Sequence, residues 1–173
     1  MKKKLFAAAI ALCISFIAFA QHTTYEVLTE RPNEKTFKGF ITKDIIAADS
    51  FCMKWYGANY KAYSPDPAAK EALSKNKDSV QLLIFMGTWC EDSQFIIPRL
   101  FALADATGFS YDRITMIGVD RNKKTFSHLT DALNVTNVPT IIVMKKGKEA
   151  GRVVEYGKTG MFDKDLATIL NSL

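Results

Sequence analysis

The chain has 173 residues, 48% of them apolar and 24% charged, which excludes a disordered chain and suits one ordinary domain rather than two. Its formal charge of +5 looks basic, but Lys2, Lys3 and Lys4 supply three of those charges, and the rest of the chain sets 20 Lys and Arg against 18 Asp and Glu. That near balance gives no support to nucleic-acid binding.

Residues 1–20 have the three parts of a secretory signal peptide: the Lys2–Lys4 cluster, an apolar run from Leu5 to Ala20, and Ala18-Phe19-Ala20 as a small-x-small cleavage pattern. The run is short for a membrane span, which needs about 20 residues. An uncleaved anchor is the rival reading. A lipidated Cys13 is rejected, because Leu12 is too large for the small position before it. Cleavage gives an exported protein beginning at Gln21, periplasmic in a Gram-negative source and secreted otherwise, with no membrane attachment afterwards. Disulfides persist in such compartments. Cys52 and Cys90 then remain, with no Cys/His spacing that suits a metal, and His22 and His128 read as surface residues.

Tyr25 to Leu28 reads as a short strand. Ile45, Ala48, Cys52, Tyr56 and Tyr60 recur at spacings of three and four, which predicts a helix from Thr42 to about Tyr60. Ser64-Pro65-Asp66-Pro67 breaks it, and Asp66-Pro67 reads as the N-cap and first position of a helix to about Lys77. Residues 21–78 form a mostly helical N-terminal extension, too poor in apolar mass to fold alone. From residue 79 the pattern changes. Val80 to Met86 is an apolar run suited to a strand covered on both faces. A helix follows from about Cys90 to Ala106, ended by Gly108; then a strand from Ile114 to Val119 and a helix over residues 123–134. Thr140–Lys145, the turn Lys146-Gly147-Lys148 and Arg152–Tyr156 make a hairpin, and Phe162, Leu166, Ile169 and Leu170 mark a terminal amphipathic helix. The order gives an α/β class: a mixed four-stranded sheet flanked by helices over residues 79–173.

Cys90, in Thr88-Trp89-Cys90-Glu91-Asp92-Ser93, falls where a buried strand ends and a helix begins. The free amides and positive end of that helix favour a thiolate, the reactive form of the sulfur. Ser93, three residues on, is placed to donate a hydrogen bond to it. Glu91 and Asp92 read as acids that complement the helix dipole.

Strand, Trp89-Cys90, helix with Pro98, Val119-Asp120 closing a strand and Val138-Pro139-Thr140 entering another together resemble the thioredoxin superfamily. The resemblance covers residues 79–173 and implies a thioredoxin-like fold. By the same resemblance Cys90 is the attacking cysteine. Pro139 is the cis-proline beside it, and Val138 offers its backbone to an extended substrate. Trp89 is the aromatic flank of the thiol, with plain packing as its other reading. Two positions depart from the family. Ser93 replaces the resolving cysteine, and a hydroxyl cannot displace a mixed disulfide. Ile84 stands where the family carries a buried acid.

Cys52 has three open readings: an inert buried thiol, a resolving partner for Cys90, or a fixed bridge to Cys90 closing a loop of about 39 residues. The leading functional reading is an extracytoplasmic monothiol exchange protein, active in cell redox homeostasis without a cofactor. Its partners would be protein or peptide thiols and disulfides, with an external thiol reductant or oxidant. The alternative is a non-enzymatic binding module that presents Val138-Pro139 to a client. Peroxidase and metal-chaperone roles have less behind them: a lone thiol and no second clustered ligand.

Overall fold

The computed structural model describes residues 24–173. The signal peptide, its cleavage site, Cys13 and His22 lie outside the described residues. Among the described residues no helix is long and apolar enough to cross a membrane.

The extension opens with strands β1 (Tyr25–Leu28) and β2 (Thr36–Ile41), followed by helices α1 (Lys43–Ala48), α2 (Met53–Lys61) and α3 (Pro67–Asn76). Strand β3 (Val80–Met86), helix α4 (Glu91–Thr107) and strand β4 (Ile114–Gly118) come next, then the short helix α5 (Leu129–Ala132), the hairpin β5 (Thr140–Lys145) and β6 (Lys148–Val154), and helix α6 (Phe162–Asn171). One sheet holds all six strands in the order β1-β2-β4-β3-β5-β6. Only β3 and β4 pair in parallel; the other neighbours are antiparallel.

The expected four strands are thus the middle and one side of a wider sheet. The sheet is larger than the sequence suggests because the extension, besides its three helices, carries β2 as well as the expected β1, and the two continue the sheet past β4. Gly39 of β2 pairs with Gly118 of β4, and this close approach leaves no room for a side chain. A Cβ at Gly118 would run into the Phe37 carbonyl oxygen.

Two predicted helices also differ in detail. The run from Thr42 to Tyr60 is two helices, because Asp49 Oδ1 accepts the amides of Phe51 (2.8 Å) and Cys52 (3.2 Å) and restarts the chain. Lys35 holds that carboxylate at 2.6 Å. Residues 123–134 contain only a 3-10 turn (Phe126–His128) and α5, since Lys123, Ser127 and His128 adopt positive φ. His128 is exposed, as expected. Asp66 caps α3 as predicted, accepting from Ala68 and Ala69.

Alternation along the central strands divides the core between two faces. On one face Leu82, Ile84, Met86, Ile141 and Val143 pack with side chains of α2, α3, α4 and α6. On the other, Phe85, Ile117 and Ile142 pack with Val119, Val135 and Val138, joined by Trp89 and Cys90 at the edge. The extension is bound to both the sheet and the helical layer: Tyr63 donates to Asp163 at 2.6 Å, and Asn76 to the Leu170 carbonyl at 3.1 Å.

Gly118→Ala should therefore destabilise the whole molecule by about 2 kcal/mol or more, because β2 and β4 must part to admit one methyl group. Urea unfolding of the variant should show a lower midpoint with an unchanged slope; an unchanged midpoint would mean that β2 does not pack on β4 in this way.

Candidate functional site

Strand β3 ends at Met86, and the chain passes through Gly87, Thr88 and Trp89 to Cys90, the N-cap of α4. The turn is closed by the Cys90 amide, which donates to the Gly87 carbonyl at 3.0 Å. No side chain caps the helix, so the amides of its first turn face the region of the sulfur. Helix α4 runs 17 residues and ends at Gly108, whose φ of 65° is the left-handed stop that glycine supplies most readily.

Pairing of Phe85 with Thr140 brings the start of β5 beside the end of β3. Val138 and Pro139 therefore lie across from the turn. The bond between them is cis, and the Cys90 thiol donates to the Val138 carbonyl oxygen at 3.1 Å. Cys90 is half-buried, while Val138 and Pro139 are buried.

Trp89 is fixed on three sides. Its indole Nε1 donates to the Val119 carbonyl at 3.0 Å, the Arg121 guanidinium lies 5.1 Å from the ring, and Gly87 supports it so closely that a Cβ there would approach the ring to 2.6 Å. Arg121 is itself held by the extension, pairing with Glu34 and donating its amide to Glu30 at 3.2 Å. Asp120 beside it meets Lys38 of β2 at 3.0 Å. That hydrogen bond keeps the Lys38 ammonium above its ordinary range.

Ser93 does not serve Cys90 as expected. It is fully buried, and its hydroxyl accepts the Gly87 amide at 3.2 Å. The sulfur's partner is across the cleft, at Val138, and the hydroxyl braces the turn from below.

The structure does not bring Cys52 to Cys90. Both thiols are free. Cys52 is fully buried in the first core cluster, with Ile46 and Tyr56, whereas Cys90 joins the cluster on the opposite face. Burial, reinforced by the nearby Asp49 charge, pushes the Cys52 thiol up to about 12. The structure thus supports neither the resolving role nor the fixed bridge, and Cys52 is a packing residue. Ile84 is likewise wholly buried.

Several residues of the site carried no signal in the sequence. Thr88 is fully buried; its hydroxyl donates to the Lys35 carbonyl at 2.7 Å and accepts from the Phe37 amide at 3.2 Å. Gln94 donates from Nε2 to the Thr88 carbonyl at 2.8 Å. Asn59 of α2 donates to the Gln94 carbonyl at 3.1 Å. Only Pro98 hinted at this last contact: a proline inside a helix deprives the carbonyl four residues earlier of its amide partner.

The sequence model of the thioredoxin family matches residues 66–168. A thioredoxin from Staphylococcus aureus is 35% identical over 83 residues, covering 48% of this chain and 75% of that protein. The chloroplastic thioredoxin Y of Oryza sativa subsp. japonica is 29% identical over 82 residues, covering 47% of this chain. The chain spans 45% of that rice protein's length. Among solved structures, a protein of unknown function from Pseudomonas aeruginosa superposes with a TM-score of 0.54 at 14% identity, covering 73% of this chain and 89% of that one. That likeness is one of fold.

The two thiols should separate cleanly in labelling. In native protein at about pH 8, iodoacetamide should modify Cys90 and spare Cys52 until denaturant is added, as read by mass mapping. Because folding raises the Cys52 thiol from 9.0 to about 12, its contribution to stability is intact below about pH 9 and is lost as pH climbs toward 12. Equal labelling of both thiols in the native state would contradict the buried placement of Cys52.

Proposed function

The chain belongs to the thioredoxin family, and from that premise we propose that it is an exported monothiol exchange protein acting through Cys90. The observation that carries the reading is the Cys90 sulfur at the N-cap of α4, hydrogen-bonded to Val138 beside the cis Pro139. The leader-like residues 1–20 support export, to the periplasm in a Gram-negative source.

In this reading the Cys90 thiolate attacks one sulfur of a client disulfide. A mixed disulfide forms, and the client's other sulfur leaves as a thiolate that takes up a proton. Loss of the Cys90 proton also removes the donor to Val138, and its carbonyl becomes free to pair with an extended client segment. Ser93 cannot complete the cycle, and Cys52 is buried on the far face of the sheet. An external thiol therefore attacks the Cys90 sulfur and expels the reduced client. A second equivalent releases the first as a symmetrical disulfide, which restores free Cys90. Overall, two external thiols are oxidised as one client disulfide is reduced.

A second reading, a binding module without turnover, draws on the absence of a nearby resolving thiol among the described residues. Cys90→Ala separates the two. Client binding that survives in the variant favours the module, and its loss together with mixed disulfides trapped on the wild type favours exchange.

The exchange reading is tested with a small aromatic disulfide, which should release one thiolate per molecule and leave Cys90 capped. Ser93→Cys should then raise turnover of a disulfide-bonded protein substrate by about tenfold or more, since an intramolecular thiol replaces a bimolecular release. If wild-type Cys90 reacts no faster than a free model thiol, the proposal fails.

A further inference from the structure

Around Cys90 runs an unbroken hydrogen-bond chain whose two ends lie in the N-terminal extension. It begins on α2, where Asn59 Nδ2 donates to the Gln94 carbonyl at 3.1 Å. That carbonyl is available because Pro98, four residues on, has no amide to offer it. Asn59 is oriented for the task by Arg99, which donates to its Oδ1 at 3.3 Å. Gln94 then reaches back with Nε2 to the Thr88 carbonyl at 2.8 Å. From there the Thr88 hydroxyl closes onto the start of β2, donating to the carbonyl of Lys35, just before the strand, at 2.7 Å and accepting from the Phe37 amide within it at 3.2 Å.

Each link is made to a group that the local fold leaves unmet. Thr88 lies in the turn between β3 and α4, outside any ladder, and is fully buried. The Phe37 amide it meets on β2 is buried and would otherwise lack water as well as a partner. The chain thus fixes the residue two before Cys90 and the residue four after it, on either side of the sulfur.

We propose that the extension braces the reactive turn through this chain, with Thr88 and Gln94 as positioning residues that hold the Cys90 sulfur at the helix terminus. The inference deepens the exchange reading and rests on it for the use made of the sulfur, but its test needs no disulfide. Misplacement of a reacting group by about 1 Å can cost about 100-fold in rate, so partial loosening should cost about tenfold.

The experiment compares the full chain with Thr88→Val, Thr88→Ser and Gln94→Met, measuring the rate of Cys90 alkylation by iodoacetamide under native conditions. Thr88→Val keeps the shape and removes the hydroxyl; its Cys90 should react about tenfold more slowly. Thr88→Ser keeps the hydroxyl and loses the methyl, and should stay within about twofold of wild type. Gln94→Met, at a half-exposed helical position, should slow Cys90 by about threefold or more with the fold intact.

Labelling of Cys52 in the same samples reports the state of the core. If Thr88→Val exposes Cys52, its fold has opened and Gln94→Met decides the question. The inference is overturned if the folded variants match wild type, if Cys90 reacts faster in them, or if Thr88→Ser loses as much as Thr88→Val. A wild-type Cys90 that alkylates readily but ignores disulfides would refute the exchange reading alone, leaving the brace to be judged on the alkylation ratios.

Discussion

Strand β3 is hydrogen-bonded on both sides and covered on both faces, and the chain can only leave it at the end of the sheet. There the ladder stops, and the next helix begins with amides that have no partner of their own. Parallel β4 ends at the same edge, and antiparallel β5 begins there. Three chain segments therefore converge on one spot for topological reasons alone: Gly87–Cys90 from β3, Val119–Arg121 from β4 and Val138–Pro139 into β5. The chemistry follows from that convergence. The sulfur meets a carbonyl 3.1 Å away, and the indole beside it is tied to the end of β4.

The extension adds a fourth segment at the same edge. Strand β2 adjoins β4, so the loop before it lies over Asp120 and Arg121, and its first residues meet Thr88. Lys38 pairs with Asp120 and Glu34 with Arg121, while Glu30 accepts the Arg121 amide. Both pairs are largely shielded from solvent, and the cost of desolvating their charges offsets much of the attraction between them. What they do supply is register, since each lies within a few residues of the site. The family match begins only at residue 66; the brace comes from the part of the chain that precedes it.

Much of this arrangement is legible in the sequence, for identifiable reasons. Val80–Met86 shows as a strand because burial on both faces removes polar residues from it, and Asp66-Pro67 marks a helix start because both residues suit one geometry. Strand β2 is hidden. Its outward Phe40 is 43% exposed and its centre is Gly39, and neither fits the alternation that signals a half-buried strand. The false long helix over 42–60 has a similar cause: the apolar spacing continues across the Asp49 cap, so periodicity alone cannot see the break. Thr88, Gln94 and Asn59 escape because each acts on a backbone carbonyl or amide from a distant element, and such groups are present at every residue.

Ser93 shows how a fold can keep a site's geometry while changing its chemistry. The position is wholly buried, and its side chain must satisfy the Gly87 amide, a donor left over where the strand ladder ends. A hydroxyl oxygen is a stronger acceptor for that amide than a thiol sulfur, so serine suits the structural demand. In the proposed exchange it also leaves this position without a thiol that could displace a partner from Cys90. Since Cys52 packs on the opposite face of the sheet, release in the proposed exchange comes from an external thiol, and the half-buried sulfur lies at the edge formed by Trp89 and Val138. The same edge would receive the client. In the proposed exchange, client and releasing thiol would therefore compete for one surface, and the lifetime of a mixed disulfide would be set by how far an incoming thiol can reach past the bound chain to the Cys90 sulfur.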